Sequence, residues 1–215
     1  MRYARYAATA AAVFILTLAG CTSQQPGNAN PNNTATGTTM PETTPPTGES
    51  QLPAFGAPPV RTPLNATTFK QYPCKALTQQ QAEHLLGTTV TAEPRPDDAE
   101  GPACGWAGEA PASDGTVKIS FLTTSDSGLS SFYRAKGSSY RFFKELSPVA
   151  GYPAVAFGLE DERDEGHCMV AVGTSNHDAF GVAVHQSTRN VGKKNPCTIA
   201  HQIAGLVIEN IKGAQ

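Results

Sequence analysis

The sequence predicts an α+β fold, an antiparallel sheet with helices packed on one of its faces. Three observations carry this. From about Asn65 to Gln215 the chain has the composition of a globular domain, and about 150 residues leave room for a proper core. Within that region, short apolar or alternating runs follow one another across short turns, as consecutive antiparallel strands do. Helix signals stand at both ends of the series, a capping box early and a Pro-initiated amphipathic stretch late. A small mixed sheet with helices on both faces is the second choice.

The elements follow in chain order. Arg2 and Arg5 form a short basic start, and residues 7–18 are apolar or small. A run of about 12 residues suits the core of a signal peptide, since a membrane span needs roughly 20. It ends in Leu18–Ala19–Gly20–Cys21, which resembles the lipobox of bacterial lipoproteins. Small residues before the scissile bond fit a narrow protease site, and the Cys21 thiol is the nucleophile that takes up a diacylglycerol. The resemblance implies a signal peptide over 1–20 and a lipidated N-terminus at Cys21. Each buried methylene contributes roughly 0.8 kcal/mol, so two or three acyl chains such as palmitate hold firmly where one does not. Arg2 and Arg5 are not adjacent, which gives no twin-arginine signal.

Residues 22–64 contain nine prolines and nine threonines but only three charges, Glu42, Glu49 and Arg61. So little apolar surface does not offset chain entropy, and 21–64 reads as the lipidated end followed by a disordered tether. A flexible chain of this length spans about 36 Å root-mean-square.

In the domain over 65–215, Thr78 and Gln81 make a capping box for a helix through Ala82, Leu85 and Leu86 that stops at Gly87. Val117, Ile119 and Phe121 alternate with polar residues as in a half-buried strand. A short helix is expected over Leu129–Lys136, and further strands over Tyr140–Leu146, Tyr152–Gly158, Cys168–Gly173 and Phe180–Gln186. Asn195 caps the last helix, Pro196 takes its first position, and Ile199, Ile203, Val207 and Ile211 recur every fourth residue.

Several short pieces share an order: Tyr72–Pro73–Cys74–Lys75–Ala76–Leu77–Thr78, Ala82–Glu83 and Leu86–Gly87, then Cys104–Gly105–Trp106, Gly151–Tyr152–Pro153–Ala154–Val155, Cys168, and Asn195–Pro196–Cys197. Together, over roughly residues 70–212, they resemble the actinobacterial lipoproteins whose globular part is domain of unknown function 3558. The resemblance implies an exported domain held at the membrane, with no established activity and no catalytic residues to carry over.

The net charge of −2 excludes an extended nucleic-acid footprint. The chain has no G-x-S-x-G elbow, H-E-x-x-H helix, phosphate loop or C-x-x-C pair. None of His84, His167, His177, His185 and His201 is four residues from another, and His167 and Cys168 point to opposite faces of a strand. No metal, cofactor or catalytic residue is therefore expected. The run Glu160–Asp161–Glu162–Arg163–Asp164–Glu165–Gly166 reads as a solvated hairpin loop without the order of a calcium loop. Trp106 reads as a core residue, with the floor of a ligand site as its alternative.

The function expected is that of a non-catalytic binding or interaction module on the extracytoplasmic face of the cell membrane. Its partners are the membrane, through lipid on Cys21, and an unidentified envelope ligand or protein. The alternative is an envelope hydrolase whose site only the fold assembles.

With Cys21 consumed by lipid, Cys74, Cys104, Cys168 and Cys197 remain, an even number in an exported domain. Four cysteines allow three pairings, and sequence does not decide among them. The expected pairing is Cys74–Cys104 and Cys168–Cys197. Cys74 opens the first helical region beside the Cys-Gly-Trp segment, and Cys197 opens the helix that must pack on the sheet containing Cys168.

Overall fold

A computed structural model of the chain describes residues 51–215, which fall within one compact unit. The expected leader, Cys21 and the tether as far as residue 50 lie outside the described residues.

Seven strands form one sheet: β1 (Thr91–Arg95), β2 (Ala103–Ala107), β3 (Thr116–Phe121), β4 (Phe142–Val149), β5 (Tyr152–Gly158), β6 (His167–Gly173) and β7 (Ala179–His185). Their order is β1-β2-β3-β7-β6-β5-β4, and every neighbouring pair is antiparallel. Two meanders, β1 to β3 and β4 to β7, thus meet where β3 pairs with β7. The helices are α1 (Thr67–Gln71), α2 (Gln79–Leu86), α3 (Pro111–Asp114), α4 (Ser130–Ala135) and α5 (Pro196–Gly213), with a 3-10 turn at Pro73–Ala76.

The α2 cap forms as read. Thr78 Oγ1 accepts from Gln81 N at 3.1 Å, and Gln81 Oε1 accepts from Thr78 N at 2.8 Å. Gly87 closes the helix at φ 71°, a conformation that costs a residue with a Cβ. At the other end, Asn195 Oδ1 accepts from Cys197 N at 2.9 Å and caps α5.

The main core lies between the sheet and α5, with α1, α2 and the 3-10 turn closing one end. Phe180, Val182 and Val184 of β7 point into it, as do Val117, Ile119 and Phe121 of β3. Trp106 is 1% exposed and belongs to this core. From α5, Ala200, Ile203, Ala204, Val207, Ile208 and Ile211 are buried, while Ile199 is only partly so. A strict four-residue row drifts around a helix of 3.6 residues per turn, so the buried face follows steps of three and four instead. A smaller cluster on the opposite face joins Phe132 and Tyr133 of α4 to Val155 and Phe157 of β5. The larger helical mass thus occupies one face, and α4 covers part of the other.

The domain begins before residue 65. Residues 51–64, expected as the end of the tether, pack on it: Ala57, Val60 and Leu64 are buried. Ala54 N donates to Ser130 Oγ at 2.9 Å, Val60 N to Asn176 Oδ1 at 2.9 Å, and Leu64 N to the Thr174 carbonyl at 2.8 Å. A Pro-rich composition averages over these anchors, which satisfy their backbone against the start of α4 and the turn between β6 and β7. The strand expected at Tyr140–Leu146 starts at Phe142 and runs to Val149 across a register shift beyond Leu146. Pro148 lacks a donor and is tolerated there because β4 is an edge strand. Among the described residues, no helix is long and apolar enough to cross a membrane.

Candidate functional site

The expected cysteine pairs are bonded. Cys74 of the 3-10 turn joins Cys104 of β2, and Cys168 of β6 joins Cys197 of α5, with Cα separations of 5.0 and 5.1 Å. Each bridge staples a helical element to the sheet.

A cleft of about 160 Å³ opens on the face away from α5. Its floor comes from the phase of β7 that alternates with the core residues: Ala179, Gly181 and Ala183. These small side chains leave a hollow that larger residues would fill. A Cβ added at Gly181 meets only Leu122 Cδ2, at 3.9 Å, so the space above it is open.

Aromatic rings make one wall. Phe132 of α4 meets Phe157 of β5 edge-on with centroids 4.6 Å apart, and Tyr140 meets the same ring at 4.9 Å. Met169 of β6 adds a flexible apolar surface beside them. The rim is polar. Lys118 of β3 lies 3.3 Å from both Asp98 carboxylate oxygens and 3.1 Å from Glu100 Oε2. Burial, and secondly the Glu100 charge, push the Tyr140 phenol above its ordinary range, so it stays a neutral donor. One lysine against two carboxylates leaves the rim with an excess negative charge, which disfavours an anionic ligand.

The cleft can hold an apolar group and offer it hydrogen bonds at the mouth. A cavity of ~150 Å³ accommodates a benzene-sized molecule, so the volume suits one ring or a short alkyl segment. No histidine lines it. Elsewhere, His201 Nε2 lies 2.9 Å from the Ser147 carbonyl and 3.4 Å from its hydroxyl, His177 lies 3.5 Å from Asp126, and His167 lies 3.9 Å from Glu162. Among the described residues, none of these imidazoles is shared between a hydroxyl and a carboxylate, the arrangement a Ser-His-acid site requires.

A family model for proteins of unknown function, DUF3558, matches residues 16–210. The chain belongs to the DUF3558 family. No curated protein and no solved structure matches it. This DUF3558 domain therefore has to be read from its own surface. Cys74, Cys104, Cys168 and Cys197 proved structural, and Trp106 went to the core. The acidic run became the exposed connection between β5 and β6, with a single 3-10 turn at Arg163–Glu165. The cleft residues were not singled out, because Phe132, Tyr140 and Phe157 are brought together only by the sheet and α4. One local signal existed: from Ala179 to Val184 of β7, large residues occupy one phase and Ala or Gly the other, marking a stretch with a shallow second face.

Proposed function

We propose that this DUF3558 protein is a lipid-anchored, extracytoplasmic binding module. Its cleft takes a ring-sized apolar group of a neutral or cationic envelope ligand. The observation that carries the reading is the open apolar cleft over Gly181, walled by three aromatic rings and rimmed by ion-paired polar groups. Two disulfides support an oxidising compartment. The Leu18–Ala19–Gly20–Cys21 lipobox supports anchoring through Cys21.

The test is co-purification of the full chain from its own envelope, with native mass spectrometry of what stays bound. Gly181→Phe fills the cleft without asking for an unusual backbone angle. The native chain should retain a small molecule that this variant loses while its melting is unchanged. Equal retention by both sinks the cleft as the site. Anchoring is tested separately: Cys21→Ser should leave uncleaved or soluble protein, and normal membrane partitioning of that variant refutes it.

A further inference from the structure

The loop between β5 and β6 carries an acidic run in which only some of the charges are ion-paired. Glu160 pairs with Arg141 at 2.7 Å, and Asp161 accepts from the Arg163 guanidinium at 2.7 and 2.6 Å. Those hydrogen bonds hold the Asp161 carboxyl below its ordinary range. Glu162 and Glu165 have no lysine or arginine partner among the described residues. They face an imidazole instead. The 3-10 turn folds the chain back so that His167 N donates to the Glu162 carbonyl at 3.1 Å. One ligand atom from each of Glu162, Glu165 and His167 then lies within 4.8 Å of the others.

A second imidazole stands against this group. His185 is the register partner of His167 across β6 and β7, and the two rings stack with centroids 3.8 Å apart. A cavity of about 80 Å³ has Glu162, His167 and His185 in its lining. We propose that Glu162, Glu165, His167 and His185 form a binding site for a divalent transition-metal ion of the zinc class.

The ligand set decides the class. Two imidazoles and two carboxylates match the nitrogen and oxygen donors zinc takes in four-coordinate sites. Calcium prefers about six to eight oxygens, more than this group offers without many waters. Zinc bonds of roughly 2.0–2.2 Å require ligand atoms closer together than they stand here. Exposed glutamate side chains on a loop close that gap by rotation, and His185 joins by turning its ring edge toward the centre. The spacing Glu162-x-x-Glu165-x-His167 is visible in the sequence. The fourth ligand is not, since it comes from the neighbouring strand.

Calorimetric titration of the full chain in detergent with zinc chloride tests the site. One saturable zinc per chain is expected. His167→Ala should weaken affinity by about 100-fold, and Glu165→Gln and His185→Ala by about tenfold or more. His177→Ala, at a remote exposed histidine, should leave it unchanged. Circular dichroism of each variant separates loss of ligand from loss of fold, and a misfolded His167→Ala is replaced by His167→Gln. No heat beyond dilution with the native chain overturns the proposal, as does unchanged affinity in the folded His167 variant. Unchanged affinity in His185→Ala overturns the four-ligand form of the site.

Discussion

Tyr140 and Tyr133 carry phenols held above their ordinary ionisation range, chiefly by burial and secondly by the nearby Glu100 and Glu145 carboxylates. A tyrosine whose folded pKa exceeds its unfolded value of about 10 binds its proton more tightly in the native state. Its contribution to stability is full below pH ~10 and is lost as pH rises through the folded value. Absorbance titration should therefore show Tyr133 and Tyr140 ionising late, with Tyr140→Phe removing one of the late steps. A native chain in which all tyrosines titrate together near pH 10 contradicts the buried environment of Tyr140. Residue types with a single structural task were legible from the sequence: Thr78 and Gln81 as a reciprocal cap, Gly87 as a stop, Asn195 as a cap. Tyr140 was not, because the strand pattern from Tyr140 to Leu146 looks continuous. Only the turn after α4, where Tyr140 N donates to the Ala135 carbonyl at 3.1 Å, sets its ring in the cleft.

At the scale of elements, α5 is where packing energy concentrates. Ile203 is fully buried against the sheet, whereas Ile199 is half-buried near the first turns. Ile203→Ala should destabilise the domain by about 2–5 kcal/mol, and Ile199→Ala by clearly less. Urea unfolding of both variants checks the order; equal losses would mean the buried face of α5 is misassigned. The strands β5, β6 and β7 were readable because each carries a sustained apolar or alternating run. β1 and β2 were not. β1 is a short edge strand, Thr91–Arg95, with Pro94 inside it and mostly exposed side chains. β2 is Ala-Cys-Gly-Trp-Ala, whose small residues and glycine carry weak strand preference, so its place depends on pairing with β3 and on the Cys74 bridge. The tether boundary failed for a related reason: Val60 and Leu64 are isolated apolar anchors in a Pro-rich run, and periodicity does not register single contacts.

For the whole molecule, the two bridges each close about 30 residues of chain, and in the chain-entropy model each stabilises the fold by roughly 3–4 kcal/mol. Replacing either pair by alanines should lower the melting temperature, and the double replacement should lower it further. An unchanged melt after losing the Cys168–Cys197 pair would show that α5 is held by packing alone. The placement of the bridges matters as much as their strength. Cys74–Cys104 lies wholly within the part of the chain that builds β1 to β3, and Cys168–Cys197 wholly within the part that builds β4 to β7 and α5. Among the described residues, no covalent link other than the backbone crosses the pairing of β3 with β7, which joins six residue pairs from Thr116↔His185 to Phe121↔Phe180. The backbone crosses between them through the segment around Asp126, whose side chain is 89% exposed. Covalently, the domain is two closed rings strung on a single thread. One protease cut beside Asp126 should yield two pieces that separate on a denaturing gel without reductant yet migrate as one particle by size exclusion. The same geometry makes the domain a candidate for expression as two oxidised halves that reconstitute on mixing.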